Sequence, residues 1–348
     1  MIILYVSLAV LALWGVQYKR NGFNNAFDRD LTNAVRGFFI GWVFLRHCQG
    51  YVDAGGYVYS GIGDWIIKTV NGLSRELIVV MFLFYSGYGV LFSLKTKGDE
   101  YVRKFPKKRI LTTLVNFDIA VLVFAIVDLL LGITLPWRKF VFSLLCWDSI
   151  GNSNWYIFAI LMCYIMSFIA SICFPRKYVA WGVAVLVMLC AFTISFFKPS
   201  WWYNTMMVFP VGGLCAYYQD EIEAFVGRRY WYVLCSATGL FFVTLFCFYF
   251  RIFCHPGLYG FCDSIVAISF AVCICLGTMK FKLGNSAIVW LGKHVFPLYI
   301  YQRIPMLVLS KWFDGHMSGN YLCVYMCCCI LTTLAIAVGY RSFEVKFK

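Results

Sequence analysis

Two residues of this 348-residue chain, Arg36 and His47, have the types and the spacing to act together. A histidine with its ordinary pKa near ~6.5 takes a proton from a poor nucleophile such as a hydroxyl group. Alternatively its imidazole acts as a nucleophile itself. An arginine stays charged, and here it is suited to holding the histidine's face or binding phosphates. The pair lies in LTNAVRGFFIGWVFLRHCQG, separated by eleven positions. At about 100° per residue this is about 1100°, or three turns plus about 20°, so one helix projects both side chains from the same face. Along the axis they stand about 16 Å apart. The plainer reading makes Arg36 a snorkelling interface residue and His47 a polar helix end. Two acids, Asp118 and Asp128, share a later apolar segment, and either one orients a histidine or satisfies a neighbouring arginine.

The elements that must hold these groups are set by composition. Of all residues 62% are hydrophobic, 20% aromatic and only 13% charged, whereas soluble domains run near ~25% charged. The apolar residues fall in blocks at approximately 2–17, 33–52, 74–94, 110–132, 153–173, 178–197, 203–219, 231–250, 260–278, 292–310 and 321–340. Blocks of roughly 17–25 residues match the ~30 Å hydrocarbon core crossed as a helix, and a barrel would alternate in ~10-residue pieces instead. The expectation is an all-α polytopic membrane protein without a soluble domain. The first block has no basic residues before it and no small-residue cleavage site, and Lys19 and Arg20 follow it. It reads as an uncleaved helix with its N-terminus outside.

Charge gives the orientation. The loops holding Lys19, Arg20 and Arg29, the Lys95–Arg109 stretch, Arg176 and Lys177, Arg228 and Arg229, Lys280 and Lys282, and the tail carry most of the Lys and Arg. The alternate loops hold only Lys68, Arg75, Arg138, Lys139, Lys198, Arg251 and Lys311. By the positive-inside rule the C-terminus is cytoplasmic. The same bias accounts for the formal net charge of +14 through cationic loops beside anionic lipid, with no call for nucleic acid. Most of the sixteen cysteines fall within spans, where they pack as small polarizable residues. No histidine accompanies Cys327, Cys328 and Cys329, so no metal site is expected there. Cys254 and Cys262 flank an outer loop, and the sequence leaves their pairing open. The Gly- and aromatic-rich stretch VDAGGYVYSGIGDW after His47 reads as a shaped loop rather than a helix.

Residues 28–348 carry a resemblance to the integral-membrane acyltransferase-3 family, the O-antigen acetylase type. Arg36, ten further positions and His47 match that family's first conserved helix, and Gly37 follows the arginine. Ser86-Gly87-Tyr88 in FLFYSGYGVLFSL is similar to its Ser-Gly-Phe helix, and YVRKFPKKRILTTLVNF resembles its basic entry to the next helix. Trp155-Tyr156 in NSNWYIFAIL, then FPVGGLCAYY, WLGKHVFPLYIYQRIP and Tyr340-Arg341-Ser342-Phe343-Glu344 follow in the family's order. One departure matters: Gln302, followed by Arg303, stands where many members have histidine.

The resemblance implies a ten-helix acyltransferase bundle over residues 28–348, preceded by an additional transmembrane helix within residues 1–20. It also implies transfer of an acyl group, commonly acetyl, from cytoplasmic acetyl-CoA to a hydroxyl of a cell-surface or lipid-linked glycan. His47 and Arg36 are then the catalytic candidates. Arg103, Lys104, Lys107, Lys108 and Arg109 suit the phosphates of CoA, or serve as a plain positive-inside stretch. Ser86, Tyr88, Asn154 and Trp155 are packing residues or substrate contacts, and Tyr301 and Gln302 join the substrate candidates. The main rival is a transporter or flippase of a polysaccharide or lipid-linked precursor, but it calls for repeat symmetry between halves or paired broken helices. The sequence displays neither.

Overall fold

In hydrocarbon every backbone N–H and C=O must be satisfied within its own segment, so apolar blocks of this length become helices. The computed structural model describes residues 1–249, 259–313 and 317–347 and is 79% helical. The first half comprises α1 (Ile2–Leu13), α2 (Arg29–Ala54), α3 (Ile62–Ser74), α4 (Leu77–Lys97), α5 (Asp99–Phe105), α6 (Thr112–Leu130), α7 (Trp137–Leu144) and α8 (Trp155–Cys173). The second comprises α9 (Val179–Ser195), α10 (Val208–Tyr217), α11 (Gln219–Tyr249), α12 (Tyr259–Lys280), α13 (Ser286–Lys293), α14 (Val295–Tyr301), α15 (Arg303–Trp312) and α16 (Gly319–Gly339). Two short strands, β1 (Gln17–Tyr18) and β2 (Phe281–Lys282), pair antiparallel and tie the segment after α1 to the α12–α13 junction. Among the described residues, seven helical stretches are long and apolar enough to cross a bilayer. This is a multi-pass membrane protein.

Several boundaries differ from the apolar blocks, each for a local reason. The block at 292–310 is broken at His294 and again at Gln302, giving three short helices. Pro297 and Pro305 lie in the first turns of α14 and α15, where a missing N–H and a ring clash end the preceding helix. The basic stretch expected as a loop is helical: α5 runs through Phe105 into a π turn at Pro106–Leu111, closed by the Thr112 N–H on the Lys107 carbonyl. Such bulges absorb a proline without ending the helix. The stretch after His47 is a loop only at 55–61, because Ile62-Gly63-Asp64-Trp65 begins α3. Asp64 accepts from the Ser60 N–H at 3.0 Å and from the Tyr57 hydroxyl at 3.1 Å, pinning that loop. The Cys254–Cys262 question lies outside the described residues.

The long helix α2 organises the bundle. Asp28 caps it, accepting from the N–H groups of Asp30 (3.1 Å) and Leu31 (3.0 Å), which satisfies two orphan donors of the first turn. At 26 residues it is about 39 Å long. It packs backbone-to-backbone on α13. A Cβ on Gly37 would stand 1.8 Å from the Ile288 carbonyl oxygen, and one on Gly292 would stand 1.8 Å from that of Asn33. A second reciprocal pair joins α4 to α10, through Gly87 on Phe209 (1.9 Å) and Gly212 on Phe84 (2.0 Å). Small residues allow this approach where no hydrophobic effect drives helices together. The helix α1 is fixed by Tyr5, whose hydroxyl accepts from Asn71 Nδ2 at 2.8 Å, while Trp42 Nε1 donates to Asn71 Oδ1 at 3.1 Å.

Gly37→Ala and Gly292→Ala should each destabilise the protein by about 1–3 kcal/mol, the scale of overpacking, read as a lower unfolding temperature in detergent. Gly89, whose added Cβ meets nothing within 4 Å, is the control, and Gly89→Ala should leave that temperature unchanged or slightly raised. Equal behaviour of all three variants contradicts the close-contact account.

Candidate active site

Because α2 runs unbroken from Arg29 to Ala54, Arg36 and His47 share one face as the spacing requires. His47 lines a cavity of about 500 Å³, within the ~300–1,000 Å³ range of ligand sites. Its wall also includes Arg46, Arg75, Glu76, Trp155, Trp201, Tyr299 and Arg303. These come from five places in the chain: α2, the α3–α4 junction, the start of α8, the 3₁₀ turn at Ser200–Trp202, and the α14–α15 junction. The His47 ring lies 6.4 Å from Tyr299, centroid to centroid. Its Nδ1 is covered and has no hydrogen-bond partner among the described residues, so Nε2 is the nitrogen left to the cavity. Neither Asp118 nor Asp128 bonds to it, and Asp118 Oδ1 is itself buried without a partner.

The junction between α3 and α4 is shaped to serve this cavity. Arg75 adopts φ 34°, ψ −120°, a left-handed conformation that costs a non-glycine residue of order ~1–3 kcal/mol. The result is that Arg75 and Glu76 both line the cavity, while the Arg75 carbonyl accepts from Arg46 Nη1. Behind Glu76, Asn204 Nδ2 reaches its carboxylate at 3.5 Å and that of Asp263 at 3.3 Å. Three guanidiniums and one carboxylate therefore line a site that also offers two indole faces. Such a set suits a hydroxylated, polar ligand.

Three turns along α2, Arg36 donates to Asn33 Oδ1 at 2.8 Å and to the Thr32 carbonyl at 3.3 Å. It lies within electrostatic reach of Tyr85, Tyr156 and Tyr164. Tyr156 packs edge-on against Tyr299 at 5.2 Å, so Arg36 and His47 are joined through two tyrosines. On the other side Tyr164 neighbours Arg109. Arg109 is half-buried and donates from Nε to the Tyr101 hydroxyl at 3.1 Å. Arg103, Lys104, Lys107 and Lys108 are exposed, and Lys104 pairs with Glu100 at 2.6 Å. A line of guanidinium and phenol groups thus runs from the basic turn to the cavity.

The remaining sequence candidates are distributed as follows. Trp155 lines the His47 cavity. Asn154 holds the loop before α8, donating to the carbonyls of Asp148 (2.8 Å) and Cys146 (3.2 Å). Ser86 lies beside Tyr164. Tyr88 stacks on Phe27 at 3.8 Å and donates to Gln219 Oε1 at 2.6 Å, away from His47. Tyr301 packs against Tyr340 and Phe343. Gln302 is fully buried and lines a second, apolar cavity between α1, α2 and α16. The sequence reading missed Arg46, Arg75, Glu76, Trp201 and Tyr299. Arg303 it noted only as the neighbour of a departure.

The His47 imidazole thus faces a polar cavity within the helix bundle. The profile of an Acyltransferase domain matches residues 32–341, which include both Arg36 and His47. The chain belongs to the acyltransferase-3 family and is an acyltransferase. The matched residues begin within α2, leaving α1 outside them. No curated protein and no solved structure matches it.

If the cavity is where transfer occurs, Trp155→Ala should lower kcat/KM for acyl transfer at least about tenfold (about 1.4 kcal/mol) at normal membrane yield. Tyr88→Phe should cost less than about threefold, because its hydroxyl is engaged by Gln219 away from the cavity; a reversed order contradicts this placement.

Proposed function

We propose that this enzyme moves an acyl group, acetyl in the simplest case, from cytoplasmic acyl-CoA to a hydroxyl of a cell-surface or lipid-linked glycan, with His47 at the point of transfer. The observation that carries this reading is the His47 cavity itself: an open imidazole nitrogen beside indoles and guanidiniums. Indole faces suit the apolar face of a sugar ring, and guanidiniums and a carboxylate suit its hydroxyls. His47 takes the proton of the attacking hydroxyl, or bonds to the acyl carbon and passes it on.

The donor side is read from charge. With the N-terminus outside and the C-terminus cytoplasmic in the cell membrane, the basic turn opens to the cytoplasm. There Arg103, Lys104, Lys107 and Lys108 suit the diphosphate and ribose phosphate of CoA, while Arg109 and Arg36 continue the positive charge inward. Arg36 and the tyrosines around it supply polar groups along the way a thioester must travel to meet His47. The acceptor enters from the opposite face.

Sealed vesicles of known orientation test this sidedness. Inside-out vesicles should consume external acetyl-CoA and acylate acceptor within the lumen, and right-side-out vesicles should ignore external acetyl-CoA. A requirement for both substrates on the same face contradicts transfer through the membrane.

A further inference from the structure

We propose that Arg303 is a catalytic residue, whose guanidinium holds the oxyanion formed when the acyl thioester is attacked beside His47. The proposal rests on the reading that thioester and acceptor meet in the His47 cavity. Arg303 lines that cavity and lies within electrostatic reach of both His47 and Tyr299. Among the described residues its Nε has no partner, and its hydrogen bond from Nη1 to the Gly151 carbonyl is long at 3.4 Å. Among the described residues it makes no ion pair. A charge inside a membrane bundle without a partner is costly, and such groups serve function. Arg303 is also the first residue of α15, a ten-residue helix whose N-terminal dipole adds positive potential where negative charge would develop. Arg46 fits the role less well, since its Nη1 already donates to the Arg75 carbonyl.

The acceptor oxygen bonds to the thioester carbonyl carbon and its proton passes to His47 Nε2. The carbonyl π pair moves onto oxygen, which faces Arg303. When the intermediate collapses the C–S bond breaks, and the departing sulfur takes the proton from His47 to leave as the CoA thiol.

Arg303→Gln should lower kcat with acetyl-CoA by about 10²–10³, the effect of losing one oxyanion donor, with both KM values within about threefold of wild type. Arg303→Lys should recover at least about tenfold over the Gln variant, since it keeps the charge but not the fork. Guanidinium at millimolar concentration should raise kcat of Arg303→Ala and not that of wild type. Retention of more than a third of kcat by Arg303→Gln overturns the proposal, as does a raised acceptor KM at unchanged kcat. Loss of the folded protein, with neither Lys nor guanidinium restoring turnover, shows a structural role and overturns it too. Absence of acetyl transfer by wild type overturns instead the reading on which this rests.

Discussion

The contact on which the His47 cavity depends is the backbone approach of α2 to α13 through Gly37 and Gly292. Lipid tails are as apolar as leucine, so helices in a bilayer associate through close packing and polar contacts rather than hydrophobic burial. With both Cβ positions removed, the backbones of α2 and α13 meet, and α14 and α15, which follow α13 directly, are held at the face that carries His47. Tyr299 and Arg303 reach the imidazole for that reason. The Gly87–Gly212 contact does the same for α4 and α10, so the Ser-Gly-Tyr segment resembling a family motif serves packing at its glycine.

Once the backbones are set, the polar groups explain one another. An arginine in the bundle interior must be met by dipoles or by water, and Arg36 is met by Asn33, the Thr32 carbonyl and the surrounding tyrosines. Phenols suit this place because each offers a hydroxyl for the charge and a ring for packing. The His47 cavity is arranged differently. Among the described residues its histidine has no carboxylate behind Nδ1, and the Nε of its Arg303 is covered without a hydrogen-bond partner. Strain at Arg75 and the breaks around α14 place several of these groups at element ends, where geometry is set by the surrounding packing rather than by a helix.

How much of this was legible in the sequence follows from the range of each interaction. The shared face of Arg36 and His47 depends on one helix, and helical period alone gives it. Apolar blocks give most of the spans for the same local reason. The partners of His47 come from the α3–α4 junction, α8, α14, α15 and the turn at Ser200–Trp202, and no local pattern brings Trp201 or Arg75 to residue 47. Arg303 stood beside the Gln302 departure, and the two neighbours point apart, one to the apolar cavity and the other to the His47 cavity. Density of charge made the Lys95–Arg109 stretch look like a loop, whereas a π turn carries it through Pro106 as helix. Asn154 shows the converse: a polar residue beside a motif tryptophan, occupied with two loop carbonyls.

The central claim is that His47 performs the transfer, and the most direct measurement follows labelled acetyl from acetyl-CoA onto glycan in membranes bearing wild type, His47→Ala or His47→Gln. The account predicts loss of transfer in both variants by at least the ~10²–10⁴-fold typical of removing general acid–base help, at membrane expression close to wild type. Retention of more than about a tenth of wild-type transfer by His47→Ala contradicts it.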